Sequence, residues 1–159
     1  MFARPFIDSL DFAHRGEELR GEMPLAELPR LQDILAAPEG KVSFVLQGSY
    51  AQDGKPRLEL SLESLCVLRC QRCLDGLSYP VRLVSKLKLV SDEDESDIDD
   101  DEMDSIPVDK HLDVLSLIEE EMLLSLPIAP MHAVGECQIA AKGLARSENP
   151  FAVLAGLKR

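Results

Sequence analysis

Hydrophobic and polar residues alternate along the middle of the chain, a period typical of strands that have one face buried. The apolar positions of the first two stretches are Val42, Phe44 and Leu46, followed by Leu58, Leu60 and Leu62. Between these stretches, the Asp-Gly pair in the segment QDGK (residues 52–55) predicts a hairpin turn. The pattern therefore predicts two antiparallel strands joined by a tight connection.

The same alternation continues into a cysteine-containing segment, LRCQRCLDGLSYPV (residues 68–81). Cys66, Leu68 and Cys70 lie on the face of the preceding leucines, so Cys66 is interpreted as a core residue. After this segment the apolar residues Val81, Leu83, Leu87 and Leu89 alternate with the basic residues Arg82, Lys86 and Lys88. We therefore predict a third antiparallel strand, with Cys70 and Cys73 at the tip of the second hairpin.

A short helix is predicted before the first strand, within residues 23–41. Pro29 suits a first helical position, and Leu31, Ile34 and Leu35 form an apolar stripe at helical spacing. Proline and glycine follow this stripe and end the predicted helix.

The clearest helical pattern covers residues 109–127, with Asp109 as the expected N-cap and Pro127 as the stop. Its apolar stripe consists of Leu112, Leu115, Ile118, Met122 and Leu126. The three glutamates Glu119–Glu121 are interpreted as a solvated face of this helix. A last helix is predicted over residues 149–159, with Asn149 as its N-cap.

These elements predict an α+β fold in which helices pack on one side of an antiparallel sheet that curls towards a barrel. A chain of 159 residues fits one domain, residues 1–159. Apolar residues make up 45% of the chain, enough for a core, but aromatic residues are only 4%. Leucine and valine must therefore do most of the packing.

The net charge of −12 is concentrated in one acidic tract, residues 91–104. This tract holds ten acidic residues and no basic residue, and without it the formal net charge of the chain is −2. Like charges at this density repel one another and stay solvated, so residues 91–105 are predicted to form a disordered acidic loop. The loop is either a plain solvated connection or a binding segment for a basic protein.

The sequence points to a cytoplasmic protein that does not enter a membrane. No stretch approaches the roughly 18 consecutive apolar residues of a membrane span, and the first residues lack the apolar region of a signal peptide. Without a secretion signal, the four cysteines, Cys66, Cys70, Cys73 and Cys137, are not expected to form a disulfide scaffold.

Cys70 and Cys73 have the spacing at which one turn can direct two sulfurs towards the same metal ion. The segment PMHAVGEC offers two further ligands, His132 and Cys137, in a loop after the principal helix. These four residues are candidate ligands of a structural zinc ion, which would connect the two halves of the chain. The alternatives are a redox-active pair, which would need a helix N-terminus that the pattern does not predict, and thiols that bind nothing.

Basic residues cluster near the same hairpin tip. Arg69, Arg72, Arg82, Lys86 and Lys88 are candidate contacts to the phosphates of an RNA. The alternative is an ordinary solvated strand face on which Glu59 and Glu63 neutralise the basic charges.

Three stretches in this order resemble the YceD family of large ribosomal RNA subunit accumulation proteins. They are LRCQRCLDGLSYPV, then LDVLSLIEEEMLLSLPIAPMH with a later cysteine, and the terminal NPFAVLAGLKR. The resemblance implies a bacterial cytoplasmic protein required for accumulation of the large-subunit (23S) ribosomal RNA, and hence a role in ribosome biogenesis. Relatives with additional C-terminal cysteines look like metal binders, whereas this chain has only Cys137 in that region.

Two classes of function are compatible with these features. The first is a non-enzymatic factor that binds ribosomal RNA or a basic ribosomal protein. The second is a thiol- or metal-dependent enzyme that acts in redox chemistry or RNA processing. No catalytic residues and no small-molecule substrate are identified from the sequence.

Overall fold

The computed structural model describes residues 4–50, 52, 54–91 and 103–137, and a mixed β-sheet dominates it. The strands are β1 (Phe6–Ile7), β2 (Glu18–Pro24), β3 (Leu35–Ala37), β4 (Lys41–Tyr50), β5 (Pro56–Arg69), β6 (Gly76–Val90), β7 (Asp104–Pro107) and β8 (Leu112–Asp113). The helices are α1 (Ser9–Arg15) and α2 (Val114–Ser125), with 3-10 turns at Leu25–Glu27 and Pro29–Leu31. The predicted α+β class is confirmed.

The main sheet has the strand order β2-β4-β5-β6-β7, and β3 pairs with β5 beyond the end of β4. The three predicted strands are β4, β5 and β6, and they are antiparallel as expected. Strand β7 is parallel to β6, so the sheet is mixed rather than purely antiparallel. Among the described strands the sheet does not close on itself, so they do not form a closed barrel.

The core lies on one face of this sheet, as the alternation predicted. Leu58, Leu60, Leu62, Cys66 and Leu68 of β5 are all fully buried. Helix α2 covers this face with its apolar residues, and Cys66 is confirmed as a core residue. None of the helices in the described residues is long and apolar enough to span a bilayer.

The predicted short helix before the first strand was wrong. Leu25, Leu28 and Leu31 are fully buried at a spacing of three residues, which matches the three residues per turn of the 3-10 turns that the chain adopts. Leu35 then enters β3 and pairs with Leu68, so an apolar stripe that suits a helix is instead divided between turns and a strand.

Helix α2 begins later than predicted and is buried on two sides. Its N-cap is Asp113, which accepts hydrogen bonds from Leu115 N and Ser116 N, rather than Asp109. Glu119 accepts a hydrogen bond from Arg30 N (2.5 Å), and Glu121 accepts one from Ser85 Oγ (2.5 Å). The expectation of a solvated glutamate face was therefore wrong for these two residues, which are 5% and 8% exposed.

Two predicted segments lie wholly or mainly outside the described residues. Of the predicted acidic loop, residues 92–102 are outside, while Asp104 and Ser105 belong to β7. The predicted C-terminal helix over residues 149–159 is outside as well.

Candidate metal centre

The tip of the second hairpin is a tight turn, residues 70–75, between β5 and β6. The amide of Cys70 donates a hydrogen bond to Asp75 O (2.9 Å), and the amide of Leu74 donates one to Cys70 O (2.9 Å). Leu74 has a left-handed backbone conformation with φ +65°. This turn places the side chains of Cys70 and Cys73 close together at the end of the sheet.

The chain returns to this hairpin tip after α2. The helix ends at Ser125, before Pro127, and the following segment, residues 126–137, is tied to the tip by backbone contacts. Gln71 N donates to Pro130 O (2.8 Å). His132 Nε2 donates to Gly76 O (3.1 Å), so in the neutral imidazole the lone pair is on Nδ1.

The four predicted ligands come together in one Cys/His cluster, which consists of Cys70, Cys73, His132 and Cys137. One ligand atom from each residue lies within 4.8 Å of the other three. The sulfurs of Cys70 and Cys137 are 3.8 Å apart, and His132 Nδ1 is 3.3 Å from Cys73 Sγ and 3.7 Å from Cys137 Sγ. Zn–S bonds of about 2.3 Å in a tetrahedral site separate two sulfurs by about 3.8 Å, so the group can hold a metal ion.

The environment of the Cys/His cluster shifts the pKa values of its two hairpin thiols in opposite directions. Burial opposes ionisation of Cys70, but hydrogen bonds from the backbone of Cys73, His132 and Arg72 lower the pKa of its thiol to about 5. Burial, together with the neighbouring sulfurs of Cys70 and Cys137, raises the pKa of Cys73 to about 11. Hydrogen bonds to the sulfurs of Cys70 and Cys137 raise the pKa of His132. The thiolate form of Cys70 is therefore favoured in the cluster without a metal ion.

Arg72, between the two hairpin cysteines, points at the Cys/His cluster. Its Nε donates a hydrogen bond to Cys137 Sγ (2.9 Å), and its Nη2 donates to His132 O (3.0 Å) and Ala133 O (3.3 Å). The hydrogen bond to Cys137 raises the pKa of the guanidinium above its ordinary value. Sequence reasoning missed these contacts. One acceptor is a sulfur 65 positions away in the chain, and the others are backbone carbonyls, which every residue has.

The other four basic residues of the predicted RNA-binding set do not form a single exposed patch. Arg69 is exposed beside the hairpin tip. Arg82 forms an ion pair with Glu63 (3.0 Å), and the exposed Lys86 lies opposite Glu59 in the sheet register. Lys88 is only 5% exposed. The strand face thus carries alternating charges of both signs.

Comparisons with known proteins identify the family. The family model described as large ribosomal RNA subunit accumulation protein YceD matches residues 58–158, which include all four residues of the Cys/His cluster. A Haemophilus influenzae protein named Large ribosomal RNA subunit accumulation protein YceD is 26% identical over 170 aligned residues, covering 96% of this chain and 94% of that protein. No solved structure matches the chain. Because the family model covers more than half of the chain, the protein belongs to the YceD family of large ribosomal RNA subunit accumulation proteins.

Proposed function

We propose that this protein is a non-enzymatic, cytoplasmic factor for the accumulation of large-subunit (23S) ribosomal RNA, and that it acts in ribosome biogenesis by binding. The observation that carries the proposal is the family match over residues 58–158, whose description names this role. A similar protein with the same name aligns over 94% of its own length, so the likeness extends over nearly the whole of both chains.

Within this role, the Cys/His cluster holds a structural zinc ion through Cys70, Cys73, His132 and Cys137. The geometry supports this because four protein ligands complete a tetrahedral site, and closed sites of this kind are structural rather than catalytic. The ion joins the hairpin tip to the segment after α2. It thereby holds the end of the sheet in one shape.

The binding partner is ribosomal RNA, contacted from the hairpin tip, or a basic ribosomal protein, contacted through the acidic tract. Arg69 supports the RNA contact because it is exposed next to the Cys/His cluster. Lys86 and Arg82 would contribute less to RNA binding, because Glu59 and Glu63 lie opposite them and offset their charge. The buried Lys88 is the weakest candidate of the set. The ten acids of residues 91–104 support the protein contact.

Sucrose-gradient sedimentation of extracts from cells that lack the protein tests this function. We expect a deficit of large subunits relative to small subunits, restored by the wild-type gene. Cross-linking in the complemented strain then separates the partners, since recovered RNA or recovered protein identifies the contact. Unchanged subunit ratios in the deletion strain would contradict the proposed function.

The second candidate function is a thiol-dependent enzyme, favoured by one observation, the pKa of about 5 for the Cys70 thiol. Low-pKa thiolates are typical of reactive cysteines. Full burial of Cys70 and the closed set of four ligands oppose this assignment. If Cys70→Ser keeps its zinc and its melting temperature but fails to support large-subunit accumulation, the enzyme is favoured. If it loses both, the cysteine is structural.

A further inference from the structure

We propose that Arg72 is a positioning residue of the metal centre, which neutralises its charge and fastens residues 132–137 to the hairpin tip, rather than a contact to RNA. This inference rests on the proposed zinc site. It adds a role that the ligand set by itself does not assign, and it removes one residue from the predicted RNA-binding set.

The first step is the charge of the site. Three thiolates and a neutral imidazole around Zn²⁺ carry a net charge of −1, and this charge lies among ligands of which one is buried and three are half-buried. A charge removed from water is costly unless an opposite charge accompanies it. The guanidinium of Arg72 meets this need, because its Nε lies 2.9 Å from Cys137 Sγ.

The second step is the shape of the guanidinium. Its donors are held in a rigid planar fork, so one side chain donates at once to a sulfur and to carbonyl oxygens. Arg72 uses Nε for Cys137 Sγ and Nη2 for the carbonyls of His132 and Ala133. It therefore reaches both ligands that the segment after α2 contributes. A lysine supplies the charge, but its donors are all on one nitrogen and do not form a planar fork.

The third step concerns RNA. The fork of Arg72 already faces the Cys/His cluster, so turning it towards a phosphate would break three hydrogen bonds. Arg69 lies exposed three residues earlier in the chain, at the end of β5. Both arginines are exposed, and Arg72 is the one whose guanidinium donates to the Cys/His cluster, so Arg69 is its matched control.

The test compares full-length Arg72→Gln, Arg72→Lys and Arg69→Gln with wild type in zinc competition against a chromophoric chelator. Loss of a hydrogen-bonding partner of a ligand typically weakens metal affinity about 10–100-fold, and we expect this for Arg72→Gln. We expect Arg72→Lys to recover part of the loss and Arg69→Gln to match wild type. In the cobalt-loaded proteins, the sulfur-to-cobalt charge-transfer band should shift in Arg72→Gln and remain unshifted in Arg69→Gln.

The outcomes that overturn the proposal are distinct from failure of the zinc site itself. If wild type binds zinc and Arg72→Gln binds it equally well with an unshifted cobalt spectrum, Arg72 has no positioning role. If zinc-saturated Arg72→Gln loses ribosomal RNA binding with a reduced salt slope, as expected for a phosphate contact, the assignment is also overturned. If wild type itself binds no zinc, both the metal proposal and the role of Arg72 fail. Thermal melting of all three arginine variants checks that each of them is folded.

Discussion

Leu74 occupies a backbone conformation that leucine rarely adopts. Its φ is +65°, and its side chain is 67% exposed, so little burial offsets the strain. The left-handed conformation lets Leu74 N donate to Cys70 O and closes the turn that carries Cys70 and Cys73. The Cys/His cluster therefore imposes a local cost on the hairpin tip, because a β-carbon is crowded at positive φ.

Replacing Leu74 by glycine should stabilise the protein. Relief of the left-handed conformation gains about 1–2 kcal/mol, while the greater freedom of glycine in the unfolded chain costs about 0.5–1 kcal/mol. We expect a net gain of about 0.5–1 kcal/mol in the free energy of unfolding, measured by urea titration of the zinc-loaded protein.

Leu124 provides the matched control, since it is also exposed (73%) but lies within α2. Leu124→Gly should lose about 1 kcal/mol, because glycine is a poor helix former. If both glycine variants lose stability equally, the side chain of Leu74 makes a contact that outweighs its backbone strain.

At the scale of elements, α1 packs directly against β4 at Gly48. A β-carbon built on Gly48 would lie 2.4 Å from Phe12 O and 2.8 Å from Ala13 Cα, both backbone atoms of the helix. The amide of Gly48 also donates to Glu17 O (2.9 Å), just beyond the helix. Glycine thus permits the closest approach between this helix and the sheet.

Gly48→Ala should destabilise the protein, because the obstructing atoms cannot move without displacing α1. Overpacking of this kind typically costs about 1–3 kcal/mol, and we expect a value near the upper end since backbone atoms are blocked. Thermal unfolding measures the effect. The neighbouring, exposed Ser49→Ala should change little, and an unaffected Gly48→Ala protein would show that α1 can withdraw from the sheet freely.

The elements also show where local patterns succeed. The strands β4, β5 and β6 were predictable because one buried face imposes a period of two on every residue. The turns at Leu25–Glu27 and Pro29–Leu31 were not, because leucines three apart fit a 3-10 turn and an α-helix almost equally well. The segment Ser9–Arg15 does carry readable signals, with Asp8 as N-cap and Gly16 as a left-handed C-cap, but it is too short to stand out.

At the scale of the whole molecule, the Cys/His cluster connects regions that the hydrophobic core does not. The buried core runs across β4, β5, α2 and the turns before β3, and it includes Cys66 but none of the cluster cysteines. The Cys/His cluster therefore lies at one end of the sheet, outside the hydrophobic core on which folding depends. In small zinc domains, by contrast, the ion organises nearly all of the structure, so an ion in this cluster would contribute less to folding than it does there.

Metal removal should consequently lower stability without unfolding the sheet. After chelation we expect a lower melting temperature and faster proteolysis within residues 126–137, while the far-ultraviolet circular dichroism of the sheet persists, because the leucine core is intact. Complete loss of β-structure on chelation would contradict this view of the core.

Cysteine variants provide the control for that experiment. Elemental analysis should find about one zinc per wild-type chain and per Cys66→Ala chain, since Cys66 lies in the core. Cys70→Ser should lose the metal. A Cys66→Ala protein that also lost its zinc would indicate that core packing, rather than ligand identity, governs the site.

The sequence by itself determined the central hairpins, the buried face of β5, most of α2 and the four candidate ligands. These features depend on residue type and short-range period, because a buried strand face or a CxxC turn constrains neighbours only a few positions apart. The resemblance to the YceD family also came from such local stretches, and the family comparison confirmed it.

Only the tertiary structure decided which distant groups meet. Cys70 and Cys137 are 67 positions apart in the chain, yet their sulfurs lie 3.8 Å apart because the segment after α2 returns to the hairpin tip, where Gln71 N donates to Pro130 O. The same packing buries Glu119 and Glu121 and brings Cys137 within hydrogen-bond distance of the exposed Arg72. A local sequence pattern can indicate one buried face of a helix or strand. A second buried face, or a contact between residues far apart in the chain, depends on how the other elements pack against that helix or strand.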